Sequence, residues 1–252
     1  MIVQIESWGN IPLLHIYNDQ TNNHSPIVIF LHGFESAKEH NLHYAYQLVN
    51  QGCRVILPDA HLHGDRDEKL DQIEISLRFW ETVLTSIEEV GKIKEELMER
   101  GFLNDQKIGI GGTSMGGITT LGCLTVYPWI NAASIMMGTP SYVQLAKAQI
   151  EQIEQKGFQI PLNSKEKDDM FHTLSTFDAS IHMEKLSNKP LFFWHGVKDT
   201  VVPFESTALF IEAFEKQFGN EYLVFMKEKS AGHAVNRKGM LAATKWLANN
   251  LA

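Results

Sequence analysis

A serine framed by glycines, at the junction of two differently patterned segments, constrains this chain more than any other feature. Gly112-Thr113-Ser114-Met115-Gly116 follows the apolar, strand-like run Lys107 to Ile110 and leads into the helix-like run Ile118 to Val126. Glycines two residues before and two after Ser114 leave room for a sharp strand-to-helix turn that side chains would obstruct, and such a turn lifts the hydroxyl into the open. In a plain loop the same serine would only cap the helix. The flanking periodicities favour a nucleophile elbow.

Further apolar runs of β-branched or aromatic character lie at Ile2 to Ile5, Leu13 to Tyr17, Ile27 to Leu31, Arg54 to Leu57, Ala133 to Met137, Leu191 to Trp194 and Leu223 to Met226. Several are continuous rather than alternating, as expected of strands covered on both faces. Helical patterns separate them at Asn41 to Asn50, Gln72 to Arg100, Met115 to Val126, Glu205 to Phe218 and Gly239 to Asn249. In the longest, Ile73, Leu77, Trp80, Leu84, Ile87, Val90, Ile93 and Leu97 recur near the 3.6-residue period, and Gly101 supplies a stop. Such alternation predicts an α/β fold with a mainly parallel sheet and helices on both faces, in a single domain spanning 1–252. The first two runs precede the alternation and suit an antiparallel edge hairpin. Between Met137 and Leu191 lie two helical pieces, roughly Tyr142 to Lys156 and Lys167 to Thr176, an excursion too long for a standard crossover. We read it as a small helical cap at about 140–186, over the sheet edge where α/β proteins bind ligands, with Tyr142 and Phe171 as candidate substrate contacts.

A serine hydroxyl becomes a useful nucleophile when an imidazole takes its proton, and that imidazole needs a carboxylate to fix its tautomer. His195-Gly196-Val197-Lys198-Asp199 continues directly from the run Leu191 to Trp194, placing Asp199 in a loop at a strand end. Gly232-His233 follows the run Leu223 to Met226 after a short polar stretch. The chain order Ser114, Asp199, His233 is that of a Ser-Asp-His triad on this fold class. Donors for an oxyanion are expected from the backbone N–H groups of Phe34, in His32-Gly33-Phe34 after the strand Ile27 to Leu31, and of Met115. His32 is expected to act behind them by orienting that loop.

Across nearly the whole chain these motifs resemble the α/β-hydrolase superfamily, and more narrowly the small bacterial carboxylesterases grouped with dienelactone hydrolases and the catalytic domains of prolyl oligopeptidases. The resemblance implies an eight-stranded, mostly parallel sheet, a Ser-His-Asp triad, no cofactor and a cap after the sixth strand. Dienelactone hydrolase itself carries a cysteine nucleophile. Here Ser114 holds that position and neither Cys53 nor Cys123 does, which argues against a dienelactone substrate. No β-propeller precedes the domain, so the oligopeptidase architecture is not expected.

Other readings are weighed against this one. Asp59-Ala60-His61-Leu62-His63-Gly64-Asp65-Arg66 resembles the H-x-H-x-D-H metal motif of metallo-β-lactamases, but Arg66 stands where the last histidine belongs. We therefore expect no metal, and read the stretch as an active-site loop in which Asp65 and Arg66 hold each other. A non-catalytic hydrolase-fold binding protein would not need all three triad residue types. With 22 basic against 30 acidic residues the net charge is −8, and no run of Lys or Arg offers a footprint for nucleic acid. The N-terminal stretch lacks the pattern of a secretory signal and no apolar run approaches a membrane span, so a cytoplasmic protein with no membrane partner is expected. The expected reaction is hydrolysis of small-molecule carboxylic esters, short acyl chains favoured, through an acyl-enzyme; a peptidase or thioesterase of the same fold is the alternative. Oligomeric state is left open by the sequence.

Overall fold

The structure is a computed structural model that describes residues 1–158 and 160–252; Gln159, inside the expected cap, lies outside the described residues. Eight strands form one sheet: β1 (Ile2–Trp8), β2 (Ile11–Tyr17), β3 (Ile27–Leu31), β4 (Arg54–Pro58), β5 (Ile108–Thr113), β6 (Ile130–Met136), β7 (Leu191–Gly196) and β8 (Leu223–Glu228). Their order is β1-β2-β4-β3-β5-β6-β7-β8. β1 and β2 form the expected antiparallel hairpin at one edge, β2 is also antiparallel to β4, and the pairs from β4 through β8 are parallel. This is the α/β-hydrolase fold.

The central strands are buried along their length, which explains their unbroken apolar sequence. Side chains alternate between two cores. On one face Ile27, Ile29, Ile56, Ile110 and Ile135 meet α3 (Phe79–Glu99) and α4 (Met115–Val126). On the other, Val28, Phe30, Val55, Leu57 and Trp194 meet α1 (Leu42–Asn50) and α8 (Arg237–Leu251). The long helical pattern breaks at Arg78 into α2 (Gln72–Leu77) and α3, and Ile73 and Leu77 of its apolar stripe stand exposed on α2. Arg78 leaves the helical backbone there and is paired with Glu81 and Glu68.

Between β6 and β7 run α5 (Tyr142–Gln155) and α6 (Ser164–Phe177). Of the two expected substrate contacts, Tyr142 is found elsewhere. Tyr142 is fully buried, its ring packs on Trp80 with centroids 5.0 Å apart, and its hydroxyl donates to the carbonyl of Ile118 on α4. It anchors α5 to the core and has no face left for a ligand. Phe171 packs against the same core with Lys147 Nζ 5.3 Å from its ring centroid. Residues with 3.6-residue spacing share one face, and here that face is spent on α4 rather than on a pocket.

Candidate active site

β5 carries Ser114 to the carboxyl edge of the sheet and α4 leads away from it. The serine backbone sits at φ 54°, ψ −116°, in the left-handed half of conformational space that a non-glycine residue occupies only under constraint. Two close approaches impose it. A Cβ on Gly112 would lie 2.4 Å from the backbone of Gly116, and one on Gly116 would lie 2.2 Å from the carbonyl oxygen of Leu31 at the end of β3. The amide of Ser114 donates to Met136 O on β6 at 2.9 Å, which fastens the turn to the neighbouring strand.

The three widely separated residues meet as the sequence predicts. Ser114 Oγ donates to His233 Nε2 at 2.8 Å, and His233 Nδ1–H donates to Asp199 Oδ2 at 2.7 Å. Asp199 Oδ1 in turn accepts the amides of Val201 at 2.9 Å and Val202 at 3.0 Å. Burial alone would raise the carboxyl's pKa, but hydrogen bonds from His195 and His233, the His233 charge and the Val202 amide outweigh it and hold Asp199 well below the usual carboxylate range. The His233 imidazole therefore faces an ionised carboxylate. His233 keeps 21% of its side chain exposed while the Asp199 side chain is fully covered, so the imidazole borders solvent and its orienting group does not.

Gly33 lies directly against Ser114: a Cβ placed on it would be 3.4 Å from Thr113 O and 3.5 Å from Ser114 Cβ. His32 fixes the next peptide. Its Nδ1–H donates to Gly33 O at 2.7 Å and its Nε2 accepts from the Ala60 amide at 3.0 Å, so both ring nitrogens are committed. In a trans peptide C=O and N–H point oppositely, so tying down Gly33 O sets the direction of the Phe34 N–H. Burial pushes the His32 pKa down to about 4, which keeps the imidazole in the neutral tautomer that these two bonds require. Met115 is the first residue of α4, where an amide has no helical acceptor. Replacing His32 by Leu frees the Gly33 peptide, and kcat is expected to fall about 10- to 100-fold with KM little changed, measured by steady-state kinetics on a simple acyl ester.

The histidine-rich loop after β4 is structural. Asp65 pairs with Lys38 Nζ at 2.7 Å, and Arg66 makes two 2.8 Å bonds to the carboxylate of Glu89, so these neighbours do not hold each other as the sequence suggests. They sit consecutively in a short 3-10 turn and point to different partners. Lys38 itself is buried and bridges Asp59, at 2.7 Å, to Asp65. His63 Nδ1–H donates to the carbonyl of His61, whose own ring faces Glu81 at 3.2 Å. Among the described residues no cluster of three or more His, Cys, Asp or Glu side chains has metal-binding geometry.

With fold and site in view, comparisons with known proteins place the chain. Residues 43–252 match the model of the prolyl oligopeptidase family. The chain belongs to that family. Within it, "Putative esterase YitV" of Bacillus subtilis (strain 168) is 42% identical over 97% of this chain and 98% of its own length. "Esterase YjfP" of Escherichia coli (strain K12) is 29% identical over 99% of this chain and 100% of its own. Among solved structures, TT1662 from Thermus thermophilus superposes with a TM-score of 0.77 at 20% identity, covering 100% of this chain and 99% of that one, a likeness of fold. The family membership agrees with the resemblance read from the motifs, and the match spans the Ser114, Asp199 and His233 positions.

Proposed function

We propose that the protein is a serine esterase that hydrolyses small-molecule carboxylic esters. The hydrogen-bonded chain from Ser114 Oγ through His233 to Asp199 carries this reading, supported by family membership and by two nearly full-length relatives named as esterases. Ser114 Oγ attacks the ester carbonyl while His233 Nε2 takes its proton. The Phe34 and Met115 N–H groups receive the developing oxyanion, already oriented before the reaction begins. His233 then protonates the departing alcohol, and water activated by the same imidazole releases the acid. Asp199 stays ionised throughout. No cofactor is called on in this sequence of steps. The helices α5 and α6 form a cap insertion in a single domain, and the cytoplasm is the compartment we assign; among the described residues no helix is long and apolar enough to cross a membrane.

Short acyl chains are the preferred substrates in this proposal. Between α5 and α7 (Phe204–Phe218) lies a cavity of about 230 Å³ lined by Thr139, Leu145, Ala148, Pro203 and Leu209, at the same sheet edge as Ser114. Gln144, Glu205 and Ser206 also line it, so the distal methylenes of a long chain meet polar atoms and gain only part of the about 0.8 kcal/mol that full burial of each would give. The rate on an acetyl ester is expected to exceed that on an octanoyl ester, and Leu145→Ala to narrow the ratio. An unchanged chain-length profile in that variant would remove this cavity from the substrate path. A panel of acyl esters, thioesters and aminoacyl amides, run beside labelling by a serine-reactive phosphonate, tests the main reading. Phosphonate on Ser114 with turnover of esters supports it, and turnover of the amides alone would make the protein a peptidase.

A further inference from the structure

His195 closes β7, a strand whose preceding residues Leu191, Phe192, Phe193 and Trp194 are all buried and apolar. It is itself 0% exposed. Its Nε2 lies 2.9 Å from Val202 O and 3.3 Å from Asp199 Oδ2. Both neighbours are acceptors, so Nε2 carries the proton and is shared between them. Nδ1 is buried and has no hydrogen-bond partner among the described residues. An unsatisfied buried polar atom costs about 1–3 kcal/mol, which an apolar side chain in this apolar strand would avoid. A polar residue kept at that cost needs a reason, and the other face of the ring supplies one.

We propose that His195 is a positioning residue for catalysis, a second imidazole whose Nε2–H holds Asp199 Oδ2, the oxygen that His233 also contacts. The inference rests on the esterase reading of the triad. The oxygen that receives His233 Nδ1–H at 2.7 Å is then gripped by two imidazoles, while the Val201 and Val202 amides grip the other oxygen. With Val202 O also bound, His195 couples the carboxylate to the backbone of its own loop.

The surroundings leave Asp199 as the charged group that His195 meets. Lys227 on β8 stands opposite it in register but is exposed, with Nζ over the Phe225 ring. Glu228, next along β8, turns to Ser230 and Asn236. β6 runs past with Met136, Met137 just beyond it binds Trp194 O, and Phe204 of α7 sets its ring nearly perpendicular to the imidazole at 5.8 Å.

Two variants and one measurement on the unaltered protein test this. His195→Phe keeps an aromatic ring and deletes the N–H; His195→Gln keeps an amide N–H near the Nε2 position. The phenylalanine variant should lose about tenfold in kcat/KM, mostly in kcat and with KM little changed. The glutamine variant should recover most of the rate. Equal losses in the two variants, or a loss carried mainly by KM, would reduce His195 to a packing residue. Because the phenylalanine variant risks misfolding, nitrogen-15 NMR of labelled histidines in the wild-type protein gives an independent answer: the Nε2–H tautomer is expected, and a proton resident on Nδ1 overturns the proposal. Phosphonate labelling of Ser114 in the same preparations separates failure of this inference from failure of the esterase reading.

Discussion

Ser114→Ala is expected to abolish ester turnover, by at least about 10⁴-fold, and to leave the protein as stable as the wild type. The substitution deletes one hydroxyl at a turn that borders solvent, opens no core cavity and keeps the two close glycine contacts that shape the elbow. Stability should therefore change by no more than about 0.5 kcal/mol, the range of a surface substitution, read as an unchanged thermal midpoint. Neither cysteine stands ready as a second nucleophile. Cys53 and Cys123 are both buried, and burial pushes the Cys53 thiol up to about 12 and the Cys123 thiol up as well, away from the reactive thiolate. Asp199→Asn should cost nearly as much activity, since an amide in place of the carboxylate lets His233 adopt the wrong tautomer. A Ser114→Ala variant that kept more than a tenth of the wild-type rate, in a preparation free of other esterases, would refute the nucleophile assignment.

The elbow was legible in the sequence because its constraint is local: the space needed by a strand-to-helix turn is visible in the glycine spacing. Asp199 and His233 were legible because loops at strand ends can be located from the strands alone. Boundaries were less so. Gly111 and Gly112 resemble turn residues, yet β5 continues through them to Thr113, since pairing with Phe30 and Leu31 on β3 and with Ser134 and Ile135 on β6 holds them in the sheet. Pairing of that kind is long-range and leaves no mark in a window of a few residues. Tyr142 was misplaced for a related reason. Helical periodicity identifies the face that will be buried but not what buries it, and α4 rather than substrate occupies that position. The charged loop misled through adjacency: Asp65 and Arg66 are sequence neighbours, whereas their partners Lys38 and Glu89 lie 27 and 23 residues away. His195 did leave a signal, a histidine ending an otherwise apolar strand, but its contact with Asp199 emerges only once the loop folds back on the strand.

Gly116→Ala is expected to damage both stability and catalysis, and so to separate the architecture of the site from its chemistry. A Cβ at Gly116 would fall 2.2 Å from Leu31 O, 2.6 Å from Leu31 C and 2.7 Å from His32 O, all of them backbone atoms. A flexible side chain can swing away from such a clash, but a strand paired on both sides cannot. β3 is hydrogen-bonded to β4 and β5 as the elbow pulls α4 against its end, so relief requires α4 to move outward. That motion carries the Met115 N–H away from the Phe34 N–H, and it shifts Ser114 relative to His233. Overpacking of a rigid site costs about 1–3 kcal/mol and more where backbone blocks relaxation, so we expect a loss of at least about 3 kcal/mol in denaturant unfolding. Misplacing reacting groups by about 1 Å costs on the order of 10²-fold in rate, so kcat should fall by at least that factor in the fraction that remains folded. Ser114→Ala predicts the opposite pairing, full stability with no turnover. If Gly116→Ala instead kept wild-type stability and rate, the close approach of α4 to β3 would not be what holds the nucleophile against its oxyanion donors, and the strained backbone at Ser114 would need another cause.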